Sequence, residues 1–152
     1  MTLAEPTVAP AGYELLANLS PEEVAVVQAL LQRRKFQRGE VIVQFGAPAG
    51  EMYFLSRGRA SATRPQNGGA RKRLGTFSQG MSFGEMALLD RAPRSAEVVA
   101  DTDAECDLLK IEDFENLGER HPRIKLVLLS NLALYLSRNL RKRNQEFSVF
   151  DY

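Results

Sequence analysis

Between residues 36 and 111 the apolar residues come in short runs, separated by turn residues. The runs are Val41-Ile42-Val43, Met52-Tyr53-Phe54-Leu55, Ala60-Ser61-Ala62-Thr63, Arg73-Leu74, Val98-Val99-Ala100 and Cys106-Asp107-Leu108-Leu109. Between them stand Arg38-Gly39-Glu40, Gly46-Ala47-Pro48-Ala49-Gly50, Arg57-Gly58, Gln66-Asn67-Gly68-Gly69 and Gln79-Gly80. Short strands at regular spacing with turn signals between them specify a β-sandwich, jelly roll or barrel. Asn67-Gly68-Gly69 marks a hairpin, because its residues accept positive φ.

The flanks follow the helical period. Ser20 suits an N-cap, Pro21 the first helical position, and Glu23 completes a capping box. Val24, Val27, Leu30 and Leu31 then repeat on one face. After Ile111, Glu112 to Glu119 reads as a short helix. A long Leu-rich helix runs from Arg123 to about Asn144, ending in Arg138, Arg141, Lys142 and Arg143, whose charge complements the helix dipole. Residues 1–11 read as a tail or linker, residues 12–146 as one domain, and residues 147–152 as a C-terminal tail. The expected class is mainly β with flanking helices: one helix, eight or so strands, then two helices.

Composition removes several function classes. A net charge of +1 supplies no global field to recruit nucleic acid or membrane. One cysteine excludes an intrachain disulfide and fits a reducing, cytoplasmic setting. No apolar run reaches the roughly 18 residues of a membrane span. Without a Cys/His cluster no metal is expected, and no nucleophile with a positioned base points to catalysis. His121 reads as an ordinary polar residue and Cys106 as a small buried hydrophobe.

The stretch FGEMALLDRAPRSAEV, Phe83 to Val98, asks for something else. A core does not need a carboxylate at Glu85 and a guanidinium at Arg94. An anion does. Gly84 permits a tight turn, and Glu85 to Leu89 can form one helical turn with free N–H groups. Arg94 offers a planar fork that matches two phosphate oxygens. Pro93 stiffens the approach to it, and the N–H of Ser95 or Ala96 adds a donor. Leu88 and Leu89 are expected to anchor the turn, and Met81 and Met86 to pack on apolar surface.

With Arg38-Gly39-Glu40, the Gly46–Gly50 turn and Gly58, the pattern FGE-x-ALL-xxxx-RSA resembles the phosphate-binding cassette of cyclic nucleotide-binding domains. That family includes the kinase regulatory subunits, the cyclic-nucleotide-gated channels and the catabolite activator protein. The resemblance covers residues 13 to 140 and implies an eight-stranded jelly-roll barrel. It implies a ligand, cyclic AMP or cyclic GMP, and no other cofactor. The implied ligand residues are Phe83, Gly84, Glu85, Met86, Ala87, Leu88, Arg94, Ser95 and Ala96, with Glu85 on the ribose 2′-hydroxyl and Arg94 on the phosphate. Leu132, Tyr135 and Leu136 are the candidates to cap the base. Gly75 stands where cyclic-GMP binders often place an Arg, which favours cyclic AMP, while the Ser95 hydroxyl keeps cyclic GMP open.

Several partners follow as expectations: the cyclic nucleotide, a second copy through Ile124, Val127, Leu128, Leu134 and Leu140 of the last helix, and an attached or separate effector protein. The expected mechanism is a population shift, in which the cassette moves inward, residues 118–122 hinge and the long helix closes. The chain stops without a recognition helix, so nucleic acid is not expected. The run MSFGEMALLDRAPRSAEVVADTDAEC is similar to modules appended to bacterial sulfate-permease-like transporters and to some glutaminases. The rival reading is a structural or interaction module that senses no nucleotide.

Overall fold

The computed structural model describes residues 10–151, with side chains for residues 10–145. Residues 1–9 of the expected N-terminal tail, and Tyr152 of the expected C-terminal one, lie outside the described residues. The strands are β1 (Gln32–Phe36), β2 (Val41–Val43), β3 (Glu51–Arg57), β4 (Ala60–Pro65), β5 (Arg71–Phe77), β6 (Ser82–Phe83), β7 (Glu97–Ala100) and β8 (Ala104–Lys110). The helices are α1 (Pro21–Gln28), α2 (Ile111–Arg120) and α3 (Pro122–Asp151).

The strands form two four-stranded antiparallel sheets in the orders β1-β8-β3-β6 and β2-β7-β4-β5. This is an eight-stranded jelly roll with its helices at the two ends of the chain. Between the sheets lies one core cluster, including Val43, Tyr53, Leu55, Phe83, Val98 and Cys106. A second cluster joins the helices to the other face of β3 and β8, through Tyr13, Leu16, Met52, Phe54, Leu109, Phe114, Ile124, Leu128 and Leu132. Strand side chains alternate between faces, so Tyr53 and Leu55 serve the first cluster, and Met52 and Phe54 the second. The unbroken apolar run of β3 is therefore that of a strand covered on both sides.

Polar groups tie the N-terminal segment to this frame. The Tyr13 hydroxyl donates to buried Asp107 on β8, and the ring of Tyr13 stacks on Phe54 at 4.7 Å. Arg33 grips the same carboxylate through Nε at 3.0 Å and Nη2 at 3.1 Å. Asn131 on α3 donates to the carbonyls of Leu15 and Ala17, each at 2.8 Å, and so locks α3 onto the N-terminal turns.

The capping box forms as expected: the Glu23 N–H donates to Ser20 Oγ at 3.2 Å, and the Ser20 N–H donates to Glu23 Oε1 at 2.9 Å. Ser20→Ala is expected to cost about 1 kcal/mol, read as a lower urea midpoint at unchanged slope.

Four expectations need correction. α1 stops at Gln28, so Leu30 and Leu31 pack partly buried beyond its end. α3 is longer than expected and its backbone passes through the supposed tail to Asp151. Leu89 and Met86 are more than half exposed, because Glu85–Leu88 is a single 3-10 turn that buries Glu85 and Ala87 instead. Ile124 and Leu128 face the second cluster and are no part of an exposed pairing face.

Candidate functional site

The loop from β6 to β7 is built around Arg94, whose own backbone is pinned first. Its N–H donates to the Ala47 carbonyl at 2.9 Å, and its carbonyl accepts from the Gly46 N–H at 2.8 Å. The turn after β2 thus fixes where the Arg94 side chain starts. That side chain folds inward and is 9% exposed. Nη1 donates to the Gly84 carbonyl at 3.2 Å, and Nη2 donates to the Glu51 carbonyl. A guanidinium carries five N–H donors, so two carbonyls leave three.

Gly84 sits at φ +74, a conformation that glycine adopts without strain. A Cβ there would lie 2.8 Å from Arg94 Nη1, so the residue is needed for space as well as for shape. The following 3-10 turn, Glu85–Leu88, carries the Glu85 carboxyl into the protein. Glu85 is 7% exposed, and its Oε2 has no hydrogen-bond partner. A buried acceptor left unmatched is costly. Burial pushes this carboxyl up to about 6, against the pull of its own backbone N–H and of Arg94. No ion pair joins Glu85 to Arg94 among the described contacts.

The expected site residues fall into three groups. Phe83, Gly84, Glu85, Ala87 and Arg94 are gathered in or against the barrel, and Phe83 stacks on Tyr53 at 5.1 Å. Leu88 and Ala96 are partly buried against the two core clusters, whereas Met86 and Ser95 stand exposed. On α3, Leu132 is sealed within the second cluster, and Tyr135 and Leu136 are half-buried on its edge. Burial raises the Tyr135 phenol pKa, Asn139 lowers it by a hydrogen bond, and the Glu85 charge raises it further. The helix and the cassette are therefore electrostatic neighbours.

Two residues escaped the sequence reading. Glu51 supplies the carbonyl under Arg94, and Tyr53 lies beneath the guanidinium, with Cζ 5.9 Å from its ring centroid. Their i, i+2 spacing on a strand was the available signal, since it puts both on one face. A further contact runs outward: Arg91, at φ +54, pairs with Glu115 on α2 and links the cassette loop to the helical layer.

Comparison with known proteins matches residues 33–121 to the cyclic nucleotide-binding domain model. The chain is 38% identical over 135 residues to Glutaminase 2 of Bradyrhizobium diazoefficiens, covering 89% of this chain and 21% of that protein. It is 34% identical to the Cyclic AMP receptor protein of Thermus thermophilus, covering 93% of this chain and 63% of that one. The crystal structure of Thermus thermophilus Catabolite Activator Protein superposes with a TM-score of 0.80 at 34% identity, over 91% of this chain and 63% of that one. The chain thus spans about a fifth of the glutaminase and under two thirds of the receptor. By sequence and by fold, this chain belongs to the family of cyclic nucleotide-binding domains.

Proposed function

We propose that residues 12–146 form a sensing module that binds cyclic AMP in preference to cyclic GMP and signals by moving α3. The observation that carries this reading is Glu85: a buried carboxylate oxygen without a partner, on the residue after the Gly84 carbonyl that binds an inward-folded guanidinium with donors to spare. A ribose hydroxyl satisfies such an oxygen without adding charge. A cyclic phosphate satisfies the guanidinium, and the N–H groups of the Glu85–Leu88 turn add donors. Glycine at position 75 offers no side chain to a guanine edge, which favours adenine. The module binds and does not catalyse.

Tyr135 is the cap for the base in this reading, with Leu136 beside it. Leu132 stays in the core. Ligand affinity that differs between an open and a closed α3 drives the closure. Leu126, Ala133 and Leu140 stand exposed at seven-residue spacing along α3, while Leu129 and Leu136 pack toward the second cluster. A seven-residue repeat is the period of a two-helix coil, so we propose a second copy of the chain as its partner. The expected residues Leu134 and Val127 lie off this row. That the chain covers only about a fifth of the glutaminase supports an attached or separate effector protein. Cys106, a buried free thiol, suits a cytoplasmic setting.

A melting-temperature titration tests the binding. Cyclic AMP at 100 times its dissociation constant should add ~2.7 kcal/mol of stability, with a smaller gain from equimolar cyclic GMP. Unchanged melting with both nucleotides would leave the rival, a nucleotide-insensitive interaction module, in possession.

A further inference from the structure

Arg94 does not stand alone, and three contacts converge on the residue beneath it. The guanidinium lies 5.9 Å from the Tyr53 ring centroid, within cation–π reach. The Tyr53 hydroxyl donates to Glu51 Oε1 at 2.9 Å, and the carbonyl of that same Glu51 accepts from Arg94 Nη2. The Tyr53 ring stacks almost parallel on Phe83, at 5.1 Å and 8°. Phe83 immediately precedes Gly84, whose carbonyl accepts from Arg94 Nη1. One buried side chain therefore forms the floor under the fork and braces both carbonyls that aim it.

A core aromatic needs none of this. Leu55, two residues further along the same face of β3, fills the first cluster with no polar tie. The hydroxyl of Tyr53, directed to Glu51, has no packing purpose. Burial, then Glu51, push its phenol up to about 12, so the ring stays neutral and the hydroxyl stays a donor.

We propose that Tyr53 is a positioning residue for phosphate recognition, holding the Arg94 fork at the angle at which it meets the ligand. This rests on the reading of Arg94 as the phosphate ligand. The ring attracts the guanidinium without consuming an N–H donor. The two carbonyls consume one donor on each terminal nitrogen and fix the plane of the fork. Ring and hydroxyl act on different coordinates, height and twist, so each is expected to contribute separately.

The test is a double-mutant cycle on cyclic AMP affinity, measured by calorimetry on the full chain. Tyr53→Leu should weaken binding about tenfold, and Tyr53→Phe, which keeps the ring, about threefold. In an Arg94→Ala background both losses should shrink to less than twofold, because no fork remains to be aimed. A packing role alone would weaken both backgrounds equally, and that result overturns the proposal. So does parental affinity in both Tyr53 variants. Tyr53→Phe preserves the core and decides the matter if Tyr53→Leu unfolds. Failure of the underlying site looks different: the Arg94→Ala substitution alone would then leave affinity unchanged, and positioning would fall with it.

Discussion

Arg94→Ala should weaken cyclic AMP binding by about 2–4 kcal/mol, which is 30- to 1,000-fold in the dissociation constant. The size follows from what the substitution leaves behind. A cyclic phosphate drawn into the site loses water from a full negative charge. Without the fork, that charge keeps only the N–H groups of a short 3-10 turn, and an uncompensated buried charge costs several kcal/mol. Arg94→Lys restores the charge and not the geometry, because an ammonium is a point donor that cannot bridge two oxygens. It should therefore recover only part of the loss. Calorimetric titration of the three proteins reads both steps. Parental affinity in Arg94→Ala would remove Arg94 from the site.

The largest expected effect on stability belongs to Gly58→Ala, at about 2–6 kcal/mol. Gly58 connects β3 to β4 at φ +90, where an L side chain is strained by about 1–3 kcal/mol. The added Cβ would also overlap the Asp103 carbonyl oxygen, lie 2.8 Å from Thr102 Oγ1 and lie 3.0 Å from Ala104 Cα. Two of those neighbours are backbone, and the turn they belong to leads into β8, the strand at the centre of its sheet. They cannot yield without shifting that strand, and overpacking of this kind adds about 1–3 kcal/mol. Gly39 isolates the two contributions. It has φ +85 and nothing within 4 Å of its Cβ position, so Gly39→Ala carries the strain without the clash. Urea denaturation should place Gly58→Ala well below Gly39→Ala. Equal midpoints would show that the β3–β4 turn has room the structure denies it.

The fold was legible where local chemistry and tertiary need agree. The Ser20 capping box, the Asn67-Gly68-Gly69 hairpin and the run Met52–Leu55 each state their structure in a few residues. β1 was invisible for a physical reason. Gln-Arg-Arg-Lys-Phe has no apolar alternation, because β1 is an edge strand whose outer residues meet solvent and whose Arg33 and Lys35 pair with acids on β8. β6 has two residues, too few to show a period. At the site, Glu85 and Arg94 could be read from spacing, because their chemistry is foreign to a core. Glu51 could not, since its contribution to Arg94 is a backbone carbonyl, and any residue type carries one. Tyr53 was hidden inside a run that burial alone explains.

The overhang of α3 has a mechanical meaning. Among the described side chains Leu132 is the last on α3 to be fully buried, and the helix axis continues for roughly 28 Å to Asp151. A stiff rod held near one end turns a small tilt into a long stroke: rotation by about 10° at Leu132 sweeps the far tip by about 5 Å, roughly the pitch of a helical turn. A displacement too slight to see at the anchored end becomes large enough, at the far end, to bring a neighbouring surface into or out of register.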